Sequence, residues 1–397
     1  MKWTVKPLAA VADFRLGKML DERKNRGELL PYLANVNVRW GSFDLDGLRE
    51  MRFEYDEMER YGLRYGDIVM CEGGEPGRCA IWKDQAPSMM IQKALHRIRP
   101  HDCLDRRFLY YSFLNLGRLG AFAPLFTGAT IKHLPREKLA KIEVAFPPLD
   151  AQNRIAGILS AYDDLIENNR RRMALLEDAV RQLFREWFVR LRFPGSEHTR
   201  ITDGVPAGWS RVPAPEAIQV NPVTKLSNET EHWFVEMADL PTNGMVVQQA
   251  MKREGRSGSK FQNGDTLLAR ITPCLENGKT AYVGFLEDGE TARGSTEFIV
   301  LRGKRVTPEY VYCLARTDAF RGNAIKSMVG SSGRQRVQES CFDKYPVLVP
   351  SDVVIDLFTA YARPQFKQIK VLHAQNRKLR AARDLLLPRL MSEEIVV

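Results

Sequence analysis

No uninterrupted apolar run in the 397 residues approaches the 18 or so that a membrane span needs, so no transmembrane helix is expected. The opening Met1-Lys2-Trp3-Thr4-Val5-Lys6-Pro7 runs on to Asp13 and Arg15 without the apolar centre of a signal peptide, so the cytoplasm is the expected compartment. Cysteine is scarce. Cys71, Cys79, Cys103, Cys274, Cys313 and Cys341 include no Cys-x-x-Cys pair, and no histidine lies at zinc-finger spacing from any of them. A disulfide framework does not suit a chain of this size and compartment, and the six scattered histidines suggest no metal site. Catalytic patterns are missing as well: there is no Gly-x-Gly-x-x-Gly, His-Glu-x-x-His or Gly-x-Ser-x-Gly, and no Asp or Asn followed by Pro-Pro and an aromatic. Asn277-Gly278-Lys279-Thr280 imitates the end of a phosphate loop, but Pro273 stands where the first glycine is required and has no N–H to offer a phosphate. No catalytic residue is therefore assigned.

What the chain has is positive charge, at a formal net +10. That balance suits a polyanionic partner without proving one. Hydrophobic content of 44% and charged content of 27% are those of a folded protein, and the length fits two or three domains. The acidic residues between Asp44 and Glu59 read best as a solvated face.

The most regular stretch runs from Pro147-Pro148-Leu149-Asp150 to Phe193-Pro194-Gly195 with no proline between. Ile155, Leu159, Tyr162, Ile166, Asn169, Met173, Leu176, Val180, Leu183 and Trp187 recur at alternating steps of four and three, the seam of a coiled-coil helix. Roughly 40 helical residues at about 1.5 Å each make a rod on the order of 60 Å, which needs a partner along its length. A constant offset supplies one from the same chain, relating Pro147 to Pro350, Ile166 to Ile369, Leu176 to Leu379 and Leu183 to Leu386. The second seam reads Phe358, Ala362, Gln365, Ile369, Leu372, Asn376, Leu379, Arg383, Leu386 and Leu390, and it is the more polar of the two. Pro364 is expected to kink this helix or delay its start, and Pro388 sits in its last turns. Parallel pairing would set Asn169 against Leu372 and Asn376 against Met173; antiparallel pairing sets the two asparagines opposite each other and is favoured. The alternative keeps both amides at the seam edge in contact with water.

The stretches before each rod share an order. Tyr32–Val38 alternates like a strand, Gly66-Asp67 turns into a buried strand Ile68–Cys71, Glu72–Arg78 is a glycine loop, Cys79–Trp82 resumes a strand, Arg106–Arg118 is a helix and Ile142–Phe146 is a last strand. Gly264-Asp265, the loop Thr272–Lys279, the strand Phe298–Arg302, the helix Glu309–Arg321 and the strand Tyr345–Val349 repeat it. The expected fold is α/β (α+β): globular domains at 1–146 and 193–349, long helices at 147–192 and 350–397, an antiparallel intramolecular coiled coil and an approximate two-fold repeat. Two heads at opposite ends of a rod of fixed length would suit duplex DNA carrying two half-sites.

This plan resembles the specificity subunit of type I restriction-modification systems. Pro147-Pro148-Leu149, Gln152, Ile155, Leu159, Asp163-Asp164, Ile166, Asn169-Arg170-Arg171, Leu183-Phe184 and Trp187-Phe188 carry the resemblance in the first helix. Pro364, Ile369, Asn376, Leu379, Ala382-Arg383-Asp384, Leu386-Leu387-Pro388-Arg389-Leu390-Met391-Ser392 and Ile395 carry it in the second. The resemblance implies a non-catalytic subunit in which two target-recognition domains each read half of a bipartite, asymmetric site in double-stranded DNA. It implies helices that fix the spacer and dock two modification (methyltransferase) subunits, with restriction (translocase/nuclease) subunits completing the nuclease. No cofactor is expected in this chain; S-adenosylmethionine, ATP and Mg would belong to the partner subunits. Gln365 and Arg383, which interrupt the second seam, are either exposed or turned toward a partner helix.

Arginine and lysine suit guanine edges, asparagine and glutamine suit adenine, and loops with glycine nearby can approach a duplex closely. Arg78 in the first glycine loop, Lys132 and His133 in the loop Thr127–His133, Arg270 and Lys279 in the second glycine loop, and Arg334, Gln335 and Arg336 after Gly330-Ser331-Ser332-Gly333 meet that description. Plain surface exposure explains each of them equally well. Two other readings compete: an enzyme acting on DNA by itself, against which the missing motifs count, and a coiled-coil protein-interaction adaptor without direct DNA readout, against which the two large, unlike heads with basic loops count.

Overall fold

The computed structural model describes residues 3–21 and 25–397, so the opening Met1-Lys2 lies outside the described residues. The chain divides into two compact units, Met1–Ile166 with Lys378–Val397, and Glu167–Arg377. Each therefore holds one head with a segment of both long helices. Among the described residues no helix is long and apolar enough to cross a membrane.

In the first unit the strands Ala12–Leu16, Leu95–Pro100, Ile68–Cys71 and Cys79–Ile81 lie side by side in that order, all antiparallel. Arg49–Phe53, Glu28–Leu33 and Met90–Ile91 form a second sheet whose last pair is parallel, and Thr4–Pro7 pairs with Glu143–Phe146. The second unit repeats all three devices. Ile218–Val220, Phe298–Gly303, Thr266–Ala269 and Thr280–Tyr282 make the antiparallel sheet, Ser210–Pro213 pairs with Pro346–Val349, and Glu231–Val235 pairs parallel with Thr291–Gly294. The duplication read from the sequence is thus present in these three devices, although the sheet with the parallel pair has three strands in the first unit and four in the second.

Two elements are shorter than expected, each for a local reason. The strand Glu28–Leu33 ends before Val38 because Asn37 Oδ1 accepts the Ala34 N–H at 2.9 Å and winds Asn35–Asn37 into a tight turn. The stretch Glu309–Arg321 is broken into Pro308–Ala315 and Asp318–Lys326, where the Thr317 hydroxyl caps the new helix by accepting from Phe320 N at 3.3 Å. The helix Arg106–Arg118 has the bounds expected of it and is capped by Asp105, which accepts from Arg107 N and Phe108 N.

The central helix spans Leu149–Phe184 and the C-terminal helix Asp352–Met391. Gln152, fully buried, holds the first turn: its Oε1 accepts from Asp105 N at 2.8 Å, and its Nε2 donates to Pro147 O at 2.8 Å and Cys103 O at 3.1 Å. In the first unit Ile155 and Leu159 share a core with Leu387 and Leu390; in the second, the Phe184 and Phe358 rings lie 6.0 Å apart. Early residues of one helix meet late residues of the other in both units, so the pairing is antiparallel. Asn169 Nδ2 donates to Asn376 Oδ1 at 3.0 Å, with the residues 8% and 1% exposed. The amides face each other rather than water.

The C-terminal seam differs from expectation in detail. Its helix starts at Asp352 and runs through Pro364 and Pro388. Pro364 and Ala360, whose carbonyl the proline deprives of a donor, are both exposed, so water serves that carbonyl and the start is not delayed. Phe366 is buried where Gln365 was expected, and Gln365 turns back to Tyr361 O at 3.3 Å; Leu387 is buried more deeply than Leu386. Arg383 is neither exposed nor left for a partner. It is ion-paired to Asp163 of the central helix, and Tyr111 donates to the same carboxylate at 2.7 Å. At its other end the central helix widens into a π-helical turn, Arg185–Val189. The extra residue per turn shifts the seam phase, burying Phe188 against Phe358 at 5.1 Å and leaving Trp187 half-buried. Tyr162, Met173, Leu176, Leu183 and Leu379 are half-buried, whereas Ile166, Val180, Ile369 and Leu372 are buried.

Replacing Asn376 alone by leucine leaves the Asn169 amide buried without a partner and is expected to cost about 1–3 kcal/mol. The double variant N169L/N376L should recover most of that loss. Chemical denaturation of the full chain measures both, and a single variant as stable as the parent would contradict the buried pair.

Candidate nucleic-acid interface

Each head builds the same corner from a glycine–aspartate turn. In the first unit Gly66 adopts a φ of 90°, and Asp67 behind it accepts from Arg64 N at 2.8 Å. Arg99 on the neighbouring strand clamps that carboxylate with two bonds, at 2.6 and 2.9 Å. The second unit copies the clamp: Asp265 accepts from Gln262 N at 2.8 Å and from Arg302 at 2.6 and 2.7 Å. These paired residues were absent from the candidates, although the aligned Gly-Asp turns and strand-end arginines carried the signal. The clamp fixes the strand that leads into each glycine loop.

The glycine loop Glu72–Arg78 meets the hairpin Thr127–His133. The hairpin closes on itself through Thr127 N to His133 O at 2.9 Å and His133 N to Thr127 O at 2.8 Å. It docks through Leu134 N to Glu72 O at 2.7 Å and His133 Nδ1 to the Glu72 carboxylate at 3.1 Å. Arg78 is turned into the fold, with Nη2 donating to Asn35 O at 2.9 Å and Nη1 paired to Glu75 at 2.7 Å. Lys132 is exposed and, among the described residues, forms no side-chain hydrogen bond or ion pair. Beneath the hairpin, buried His96 Nε2 donates to Leu134 O at 2.8 Å, and burial lowers its pKa below the usual histidine value.

In the second unit the loop leaving Arg270 meets the hairpin Val329–Arg336 in the same way. Val329 N donates to Arg336 O at 3.0 Å, Arg336 N to Val329 O at 2.9 Å, and Val337 N to Arg270 O at 2.9 Å. Arg270 pairs with Glu339 at 2.9 Å and donates to Val337 O at 3.2 Å; Lys279 Nζ donates to Met237 O at 2.6 Å. Arg336 binds Glu297 through Nη2 at 2.7 Å and Nε at 2.9 Å, and this hydrogen bonding holds the Glu297 carboxyl below its usual range. Gln335 is half-buried and uses its carbonyl to receive Thr272 N at 3.0 Å. Arg334 is exposed and, among the described residues, makes no side-chain hydrogen bond or ion pair.

The eight candidates therefore gather into two corners, one per head. Arg78, His133, Arg270, Lys279 and Arg336 are engaged in holding loops together, while Lys132 and Arg334 are exposed on the hairpins with their donors unused. Such a corner presents cationic donors on a braced scaffold, an arrangement suited to base edges or phosphates.

Residues 2–178 match the model of the type I restriction modification DNA specificity domain. The type I restriction enzyme MjaIX specificity subunit of Methanocaldococcus jannaschii is 23% identical over 353 residues, 84% of this chain and 78% of that protein. Residues 2–178 of the chain thus carry a type I restriction modification DNA specificity domain. The EcoEI specificity subunit of Escherichia coli is 31% identical to this chain over 153 residues, which are 37% of this chain and 26% of that one. The fold of the type I restriction-modification S subunit from M. genitalium matches with a TM-score of 0.57 at 15% identity, covering 98% of this chain and 96% of that one. The matched domain takes in the first corner and most of the central helix.

A histidine whose folded pKa is depressed gives stability that is present above its unfolded value, about 6.5, and lost as pH falls through the folded one. Acidification from pH 7.5 to 5.5 is thus expected to loosen the hairpin that His96 supports. Amide-exchange protection across residues 127–134 should drop, whereas protection unchanged between the two pH values would remove His96 from that role.

Proposed function

We propose that this chain is the non-catalytic, sequence-specific DNA-binding subunit of a type I restriction-modification complex, its two heads reading the unlike halves of a bipartite site. The observation that carries this reading is the repeated corner, built twice on the same aspartate–arginine clamp and tipped by different basic hairpins. Identical scaffolds with different tips suit half-sites of different sequence. The antiparallel helices set the number of base pairs between the halves and dock two modification subunits, with restriction subunits joining the assembly. S-adenosylmethionine, ATP and Mg belong to those partners, and the complex works in the cytoplasm. An adaptor that binds only proteins would have no use for two cationic corners on a chain of net charge +10.

Duplex DNA binding should weaken steeply as salt rises, because neutralised phosphates release counterions. A flat response would favour the adaptor. Arg334→Ala is expected to relax only the half-site read by the second head, by about 1–3 kcal/mol at the affected base pair. Methylation of single-base variants of the site measures this, and an unaltered pattern would take Arg334 out of the interface. Inserting matched turns into both helices should change the spacer and leave both half-sites as they were; an altered half-site would contradict the division between reader and spacer.

A further inference from the structure

The first head carries a groove of 920 Å³ beside its reading corner. Arg15 enters it from the strand Ala12–Leu16, Arg97 and Arg99 from the next strand, Arg60 from the helix Tyr55–Tyr61, and Arg136 from the chain just beyond the hairpin. Three carboxylates, Asp13, Asp56 and Glu59, also line it, and Glu59 pairs with Arg64 at 3.2 Å. Arg99 is committed to Asp67. The other four arginines have no carboxylate partner among the described residues.

Three of these four, Arg97, Arg136 and Arg60, are nevertheless held in place. Arg97, 6% exposed, donates Nη1 to Gly62 O at 2.8 Å and Glu59 O at 3.3 Å. Burial and the charge of Arg99 lower its pKa to about 10, so it remains cationic at neutral pH in a region already rich in positive charge. Arg136 lies over the Phe14 ring at 5.4 Å and Arg60 over the Tyr61 ring at 5.2 Å, contacts that orient a guanidinium without neutralising it.

The second head shows that the fold does not require this chemistry. Its counterpart groove, 720 Å³ beside the strand Ile218–Val220, is lined by Gln219, Asn221, Glu339 and Asp343 with no arginine, and Glu339 stands at the offset position of Arg136.

We propose that the arginine groove of the first head holds the sugar–phosphate backbone of the DNA, fixing the register in which the adjoining hairpin meets the bases. Phosphate contacts of this kind position a protein without reading sequence, and the second head lacks the equivalent. This assignment rests on the DNA-binding reading above.

Arg15, Arg60 and Arg136 are exposed, so R15Q/R60Q/R136Q should fold normally. Binding of the full chain, with its modification subunits, to a fluorescein-labelled duplex of arbitrary sequence is followed between 50 and 200 mM salt. Each phosphate that is no longer neutralised lowers the slope of log affinity against log salt by about 0.9, so the triple variant should lose roughly 2 to 3 from that slope. Its methylated sequence should be unchanged. A matched variant, R171Q/R172Q/R192Q, removes the same charge elsewhere and should keep the parent slope. Equal slopes in parent and triple variant, an equal fall in both variants, or an altered methylated sequence would each overturn the proposal. So would displacement of the duplex by inorganic tripolyphosphate more strongly than by chloride at the same ionic strength, because the groove would then be a site for a small phosphate ligand. If the parent itself shows no salt-dependent DNA binding, the functional reading fails first and independently.

Discussion

The constraint on which the structure turns is that a buried amide must find a partner. Two asparagines buried on largely apolar seams can satisfy each other only if the helices run in opposite directions at one particular register, and Asn169 and Asn376 do so at 3.0 Å. Leucine at both places would pack in more than one register; asparagine penalises every alternative. The pair thereby gives up some stability for a defined alignment, as a single polar seam position does in other coiled coils.

Charged groups extend the same logic to the heads. In the first unit Tyr111 of the head and Arg383 of the C-terminal helix converge on Asp163 of the central helix, and Arg118 reaches Asp384 at 2.5 Å. In the second, the Tyr312 hydroxyl donates to buried Glu177 at 2.5 Å. Burial and the neighbouring carboxylates push both tyrosine hydroxyls far above their ordinary range, so they stay protonated as donors. Each head is therefore tied to the helices of its own unit by directional bonds as well as by apolar packing. A buried carboxylate without such partners would be costly, which makes the docking specific.

The features legible in the sequence were those with period and repetition. The heptad steps gave the central helix, the constant offset gave its partner, and the two asparagines gave the orientation, because each depends on residue type at a fixed spacing. The π-helical turn at Arg185–Val189, the burial of Phe366 in place of Gln365 and the continuity of the helix through Pro364 were not legible, since they follow from which side of the helix meets solvent. The two loop pairs were found from glycine and basic residues, but composition could not separate a guanidinium free for a ligand from one bracing its own loop. Arg78 and Arg270 belong to the second kind because Glu75 and Glu339 lie within reach in the folded chain. The groove around Arg97 was invisible for a related reason: its arginines are far apart in sequence and meet only when the sheet assembles.

The central claim is that one doubled chain supplies two different readers at a set separation. Sequencing methylated adenines in a host that expresses this chain with the proposed modification subunit tests it most directly. The account predicts a single asymmetric motif of two unlike specified segments separated by a gap of constant length. A continuous or palindromic motif, or specified segments separated by gaps of variable length, would contradict it.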